Sequence, residues 1–409
     1  LAIRTTDLRR HLLEELLPLW CEHGVDRERG GFHPKLTLGL RPGHDDFKRL
    51  VATARQIYAF SHAAILGAPD WALTTAHHGL EFMNDSFWDG RHEGWFLTTD
   101  LEGSPLDRRK DTYAHAFVLF AMAYYFQATG DAEALRIAER TVDLLEHHLA
   151  DAVNGGFFEG ATESWEPVSE PRRQNPHMHL FEGFLALYQV TRETRYLERA
   201  GAMAQLFRSR FLDPRLGCLG EYFTGDWRQH PGDLGEVLEP GHHFEWVWLL
   251  HQYARESGEE TIVADADCLF RFASRFGVDE DNGGVYDEID RQGRVVRDTK
   301  RLWPQTELIK ALVVRYASSR DGSILGALDQ VLRHCFSLYV DPRHRGWRDH
   351  LTRTGEIVTE LMPATSIYHI TLALSEVIRL LDGEPAGNGD RPRAETDSRA
   401  RSFEAGTRR

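Results

Sequence analysis

The chain has 409 residues, 42% of them hydrophobic and 11% aromatic, which is ample material for a large core. Its 63 acidic against 48 basic residues give a formal charge of −15, which argues against nucleic acid or an anionic membrane surface as partner. No apolar run approaches the ~20 residues of a membrane span, and the charges near the N-terminus precede no apolar signal segment.

In chain order, one glycine phrase returns six times: Gly30-Gly31-Phe32, Gly94-Trp95-Phe96, Gly155-Gly156-Phe157-Phe158, Gly217-Cys218-Leu219, Asn282-Gly283-Gly284-Val285 and Gly346-Trp347. The steps between Gly31, Gly94, Gly156, Gly217, Gly284 and Gly346 are 63, 62, 61, 67 and 62 residues. Length alone suggests two or three domains. A fixed period over the whole chain overrides it, because six equivalent units share one core. Residues 1–382 are therefore expected to form a single domain. From Gly383 the composition turns to Gly, Pro, Arg and acidic residues, which reads as a disordered tail over 383–409.

Between the glycine phrases the sequence reads as paired helices. The first of each pair starts near Asp7, Asp70, Asp131, Thr194, Glu259 and Asp321. After Asp131, a plausible N-cap, Leu135, Ala138, Val142 and Leu145 form one apolar stripe. The second helices, around Phe181, Trp246 and Ile370, are apolar on most faces, so they are expected to be buried on most faces. Alternation at Val285–Ile289 and the turn at Arg291–Arg294 predict short hairpins between pairs. Two concentric rings of six helices make an all-α fold, an (α/α)6 barrel; an open solenoid is the competing layout.

Counting about 23 residues on from each glycine reaches the start of an inner helix. There stand Arg55, then Tyr113 with His115, then His179, His242, Glu307 and His369, with Asn175, Glu245 and Trp303 within about a turn. Burying these without partners would cost several kcal/mol, so they are expected to line a wet cavity. Each has a plainer reading: a single inner histidine is more often a satisfied core residue, and Arg55 could pair with Asp45 or Asp46. Three histidines at repeat-equivalent positions favour catalysis. His177-x-His179 and His242-His243 suggest a metal, but residues one or two apart on a helix diverge by about 100° or 200°, so no metal is expected. His242 and Glu245, three apart, share a helix face, so Glu245 could hold His242 or grip a substrate hydroxyl. Cys21, Cys218, Cys268 and Cys335 are scattered without C-x-x-C spacing, which suits a reducing cytosol and no disulfide framework.

The phrases Arg173-Gln-Asn-Pro-His-Met-His-Leu-Phe-Glu182, Gly241-His-His-Phe-Glu-Trp246, Arg301-Leu-Trp-Pro-Gln-Thr-Glu307 and Ser366-Ile-Tyr-His369 resemble the N-acylglucosamine 2-epimerase superfamily. The resemblance runs from about Asp7 to Asp382 and implies an (α/α)6 barrel acting on free sugars, with no cofactor. It implies His242 and His369 as the catalytic acid/base pair and Arg55 as the stabiliser of an enediolate. His179, Asn175 and Glu245 would bind substrate oxygens or assist ring opening, and Tyr113 and Trp303 would line the sugar site with Glu307. The expected partner is one small monosaccharide, and the expected assembly a monomer or homodimer.

Histidine titrates near neutrality and suits removal of the proton at C2 of an open aldose. Guanidinium stays charged and suits the developing oxyanion. Return of the proton to C1 makes a ketose; delivery to the opposite face of C2 makes the epimer. The Asn-Pro-His-Met-His phrase and the Ala-Thr-Ser-Ile-Tyr-His ending look more like bacterial mannose isomerases than disaccharide epimerases, so conversion of D-mannose to D-fructose is expected. The alternatives are a sugar 2-epimerase, a sulfoquinovose isomerase, and a glycoside hydrolase using Glu245 and Glu307 as its carboxylate pair.

Overall fold

The inner segments carry apolar side chains all round, and they end up enclosed. In Thr112–Thr129 every residue from Ala114 to Tyr125 is buried. The outer segment Ala132–His148 buries one stripe, Ala134, Ala138, Thr141, Val142, Leu144 and Leu145, with Leu135 at its margin. Asp131 caps that helix by accepting the Glu133 N–H at 2.9 Å, and Asp321 does the same for Ser323 at 2.8 Å. The computed structural model describes residues 4–168 and 171–383. Of the tail expected from Gly383, all but Gly383 itself lies outside the described residues.

The outer helices are Thr5–His23, Trp71–Phe87, Ala132–His148, Thr194–Phe211, Glu260–Phe276 and Gly322–Leu338. The first and fourth widen into π-helical turns at His11–Leu16 and Phe207–Phe211. The inner helices are Leu50–Ile65, Thr112–Thr129, Gln174–Thr191, Pro240–Ser257, Leu302–Ser319 and Ser366–Asp382. Each inner helix packs on the next, and Ser366–Asp382 packs back on Leu50–Ile65. Strand Leu361–Pro363 pairs antiparallel with Lys35–Thr37, joining the last repeat to the first. The ring is therefore closed, and the open solenoid is excluded. The expected hairpins form, as in Glu288–Asp290 with Val295–Arg297 and Thr98–Asp100 with Pro105–Asp107.

The glycine phrase turns out to be half of a repeated clamp. An aspartate precedes each copy: Asp26, Asp89, Asp151, Asp213, Asp279 and Asp341. In each, Oδ1 accepts a backbone N–H two residues on, as from Arg91 to Asp89 at 2.9 Å. In four copies a buried cation at the start of the next inner helix takes the same carboxylate: Lys48 at 2.9 Å, Lys110 at 2.8 Å, Lys300 at 2.8 Å, and Arg172. Gly94 closes its copy at φ +75°, where a Cβ would lie 2.4 Å from the Trp165 ring. Lys110→Met strands the buried Asp89 carboxylate, and should lower unfolding free energy by about 3 kcal/mol or more. Urea denaturation would show it as a lower midpoint at unchanged slope.

Candidate active site

A backbone register sets the inner ring. The first N–H of four inner helices, and that of Ala364 two residues before the last, donate to a loop carbonyl of the following repeat: Leu50 to Leu97, Thr112 to Glu159, Gln174 to Glu221, Leu302 to Asp349 and Ala364 to Pro34. Pro240 occupies the same place without an N–H. Five residues further along each chain stand Arg55, Phe117, His179, Glu245, Glu307 and His369, at one level around the axis. This corrects the count from the glycines: Glu245, not His242, is the fourth member of the level. His242, Tyr113, Asn175 and Trp303 lie about a turn nearer the mouth.

The two proposed catalytic histidines are held differently. His242 Nδ1 lies 3.0 Å from both carboxylate oxygens of Glu221, and Glu239 follows at 3.9 Å. Burial works against its charge, but Glu221 and Glu239 overcome it and raise His242 to about 9. Its Nε2 faces the Asn175 side-chain amide at 3.2 Å. His369 Nδ1 lies 2.7 Å from Glu307 Oε1, while Glu307 Oε2 lies 2.6 Å from Lys310 Nζ. Burial, then the charges of Arg55 and Lys310, hold His369 well below its ordinary value. The Trp303 ring stands 5.0 Å from that of His242 and 5.5 Å from that of His369, between the two. Gly241 allows this approach, since a Cβ there would meet the Trp303 ring at 2.5 Å.

Arg55 donates to the Tyr113 hydroxyl at 2.6 Å and to the Thr365 carbonyl at 2.9 Å. It does not pair with Asp45, which takes Lys35 at 2.8 Å. Burial keeps the Tyr113 phenol protonated, so with Arg55 on its oxygen it can donate to a sugar oxygen. His179 packs against Tyr113 and bonds Glu182 at 3.0 Å; burial drives it down to about 3, so it is neutral. Glu245 reaches Tyr368 at 3.3 Å and Lys310 at 3.9 Å, not His242, whose carboxylate is Glu221. Glu307, expected at the substrate, is fully buried beneath His369. Glu245 and Glu307 thus share one lysine and do not flank a bond as a hydrolase pair would.

Three further histidines near the starts of inner helices are structural. His115, His177 and His243 each accept a backbone N–H at Nε2, from Trp95, Phe157 and Leu219, and turn Nδ1 to the carbonyl of Asp111, Arg173 and Glu239. Burial lowers them to about 3, 4 and 4, so each is neutral. Gln305 does the same work in the fifth repeat, bonding Val285. This separates Tyr113 from His115 and removes His177 and His243 from any chelating pair. Glu221, Glu239 and His242 come close enough to hold an ion, as do Glu245, Glu307 and His369. In both sets the carboxylates are already engaged, by Arg301 on Glu239 and Lys310 on Glu307.

A sequence model described as N-acylglucosamine 2-epimerase (GlcNAc 2-epimerase) matches residues 21–373. The chain belongs to this family. A mannose-6-phosphate isomerase of Rhizobium meliloti (strain 1021) is 33% identical over 393 residues, 92% of this chain and 97% of the relative. A D-mannose isomerase of Thermobifida fusca is 30% identical over 315 residues, 74% of this chain and 77% of the relative. The solved structure of cellobiose 2-epimerase from Spirochaeta thermophila DSM 6192 superimposes with a TM-score of 0.85 at 28% identity, covering 93% of this chain and 96% of that one. This member of the N-acylglucosamine 2-epimerase family is an enzyme of the isomerase class. No helix among its described residues is long and apolar enough to cross a membrane.

Sequence reasoning missed Glu221, Glu182, Tyr368 and Lys310. The first was within reach. The loop carboxylates Glu159, Glu221, Asp287 and Asp349 recur with the period, and each sits beside the next inner helix, where it holds Arg173, His242, Arg301 and Ser366 in turn. Glu182 and Lys310 stand three residues from His179 and Glu307, the same one-face spacing that joins His242 to Glu245, and could have been found by it; Tyr368 carries no such mark.

Proposed function

We propose that the enzyme is an aldose–ketose isomerase that converts free D-mannose to D-fructose, with His369 as carbon base and His242 as oxygen acid. The observation that carries this reading is the unequal holding of the two histidines. His369, neutral, takes the C2 proton; the electron pair forms the C1–C2 double bond, and the oxyanion at O1 takes a proton from His242. Arg55 and Tyr113 stabilise the charge as it develops. His369 then returns its proton to C1 while O2 gives its proton to His242, leaving the ketose. Both histidines end the cycle as they began it.

Epimerisation would exchange their states at each turnover. It would leave His242 neutral beside Glu221 and His369 cationic beside Arg55 and Lys310, which is the arrangement that the surrounding charges oppose. A free sugar is favoured over a phosphosugar because Arg173 is already held by Glu159, and Arg301 by Asp287 and Glu239. No step needs a metal: the charge on the enediolate is met by Arg55, and the protons by the histidines.

The test is to incubate the protein with mannose, mannose 6-phosphate, glucose and cellobiose in D2O and follow the products by NMR, with and without EDTA. Fructose should form first from mannose, at a rate unchanged by the chelator, with deuterium at C1 in those turnovers in which the proton held on His369 exchanges with solvent before its return. Glucose as the first product, preference for the phosphate ester, or a loss with EDTA that added metal restores would each overturn the corresponding part of the proposal.

A further inference from the structure

Beneath the histidines lies a group of buried charges that the reaction as written does not touch. Lys310 and Glu307, three residues apart on one inner helix, are both fully inaccessible. Lys310 Nζ also lies 3.9 Å from Glu245 and faces the rings of Trp248 at 4.5 Å and Tyr368 at 5.7 Å. Glu182 is the third carboxylate, joined to the set through the Tyr368 hydroxyl. Arg55, His179 and His242, from three other helices, also act on His369. A buried ion pair is often no more stabilising than apolar residues of the same size, so stability alone gives little reason for a lysine here.

We propose that Lys310 is a positioning residue for the base: its ammonium holds Glu307 as a carboxylate, Glu307 accepts the Nδ1–H of His369, and the Nε2 lone pair stays free for the substrate carbon. The proposal rests on the reading of His369 as the base. Burial, then the neighbouring Glu245, hold the Glu307 carboxyl well above its ordinary value; Lys310, with its ammonium 2.6 Å from Oε2, is the group that opposes them and favours the carboxylate. Without the ammonium, the Glu307–His369 pair takes up a proton at higher pH. If that proton rests on His369, the ring is an imidazolium and Nε2 carries hydrogen. If it rests on Glu307, the carboxyl donates to Nδ1 and the neutral ring must carry its hydrogen on Nε2. Either placement removes the lone pair.

The experiment compares Lys310→Met, Glu307→Gln and the double variant in the full chain, recording kcat and KM against pH, with circular dichroism for the fold. In Lys310→Met the acidic limb of kcat/KM should rise by at least one pH unit, about a tenfold loss on that limb, with KM changed less than threefold. Adding Lys310→Met to Glu307→Gln should cost less than a further threefold, because coupled residues are not additive. An acidic limb in its wild-type place, or a double variant whose losses multiply, would overturn the proposal. Should Lys310→Met alone fail to fold, the double variant against Glu307→Gln decides it, since both charges of the pair are then gone. Failure of the base assignment shows separately, as C2-proton exchange surviving in His369→Ala.

Discussion

His369→Ala should lose exchange of the mannose C2 proton with solvent and drop kcat by about 10²–10⁴-fold, the usual contribution of a positioned general base. The loss should be catalytic and not structural. His369 stands in the first turn of the last inner helix with 6% of its surface exposed, and its removal leaves Glu307 still paired with Lys310 and the register bond from Ala364 to Pro34 intact. Circular dichroism should match the wild type. KM should change little, because Arg55, Tyr113, Asn175 and Trp303 remain to hold the sugar. His242→Ala should behave differently: exchange of the C2 proton should survive in part while fructose formation falls, since His242 acts on oxygen. Isotope exchange at C2 in the His369 variant is the decisive measurement, and exchange at the wild-type rate would move the base elsewhere.

The period of about 62 residues was enough to read the barrel, because six copies of one helix pair can bury their apolar faces only against each other. It was also enough to place Arg55, His179, Glu307 and His369 on one level. What it could not resolve was phase within a turn. Gly217 stands 23 residues before Pro240, where the other five glycines stand 18 or 19 before the corresponding residue, so a count from Gly217 lands on His242 instead of Glu245. Nor could it separate a histidine that bonds the backbone from one that bonds another side chain at the axis. His177 and His179 differ by two residues, and only the Phe157 N–H against one and Glu182 against the other distinguish them. The six clamp aspartates were visible as acidic residues beside glycine, yet the cations that meet four of them stand about 21 residues away, and that separation has meaning only once the intervening loop has turned back.

The same distinction explains why the copies can share a fold while differing in chemistry. The clamp and the structural imidazole or amide consume the repeated polar positions, so the barrel is held by Asp89 with Lys110 and by His115 with Trp95, and equally by Asp279 with Lys300 and by Gln305 with Val285. The next position along each inner helix that faces the axis is then free to vary. Arg55, Phe117, His179, Glu245, Glu307 and His369 occupy it without loss of the frame.

Glu221→Gln should move the alkaline limb of activity from about 9 down toward neutrality. His242 must be protonated to act as the acid, and burial alone would lower it; Glu221, with Glu239 behind it, is what raises it. Glutamine keeps the shape of the side chain and can still accept from Nδ1, so orientation survives while the charge is lost. With an acid near 9 most of the enzyme is active at pH 8; with one near the ordinary value of about 6.5 the active fraction falls roughly 30-fold. The acidic limb, set by His369, should stay where it is, which separates this variant from Lys310→Met. Stability carries the same sign. A histidine raised in the folded state contributes stabilisation that is fully present below about 6.5 and is lost as pH rises through about 9. The wild type should therefore melt lower above pH 9 than at pH 7, and Glu221→Gln should show a smaller fall over that window. If both limbs and the melting curve match the wild type, Glu221 does not set the charge of His242, and the division of the two histidines into acid and base loses its physical cause.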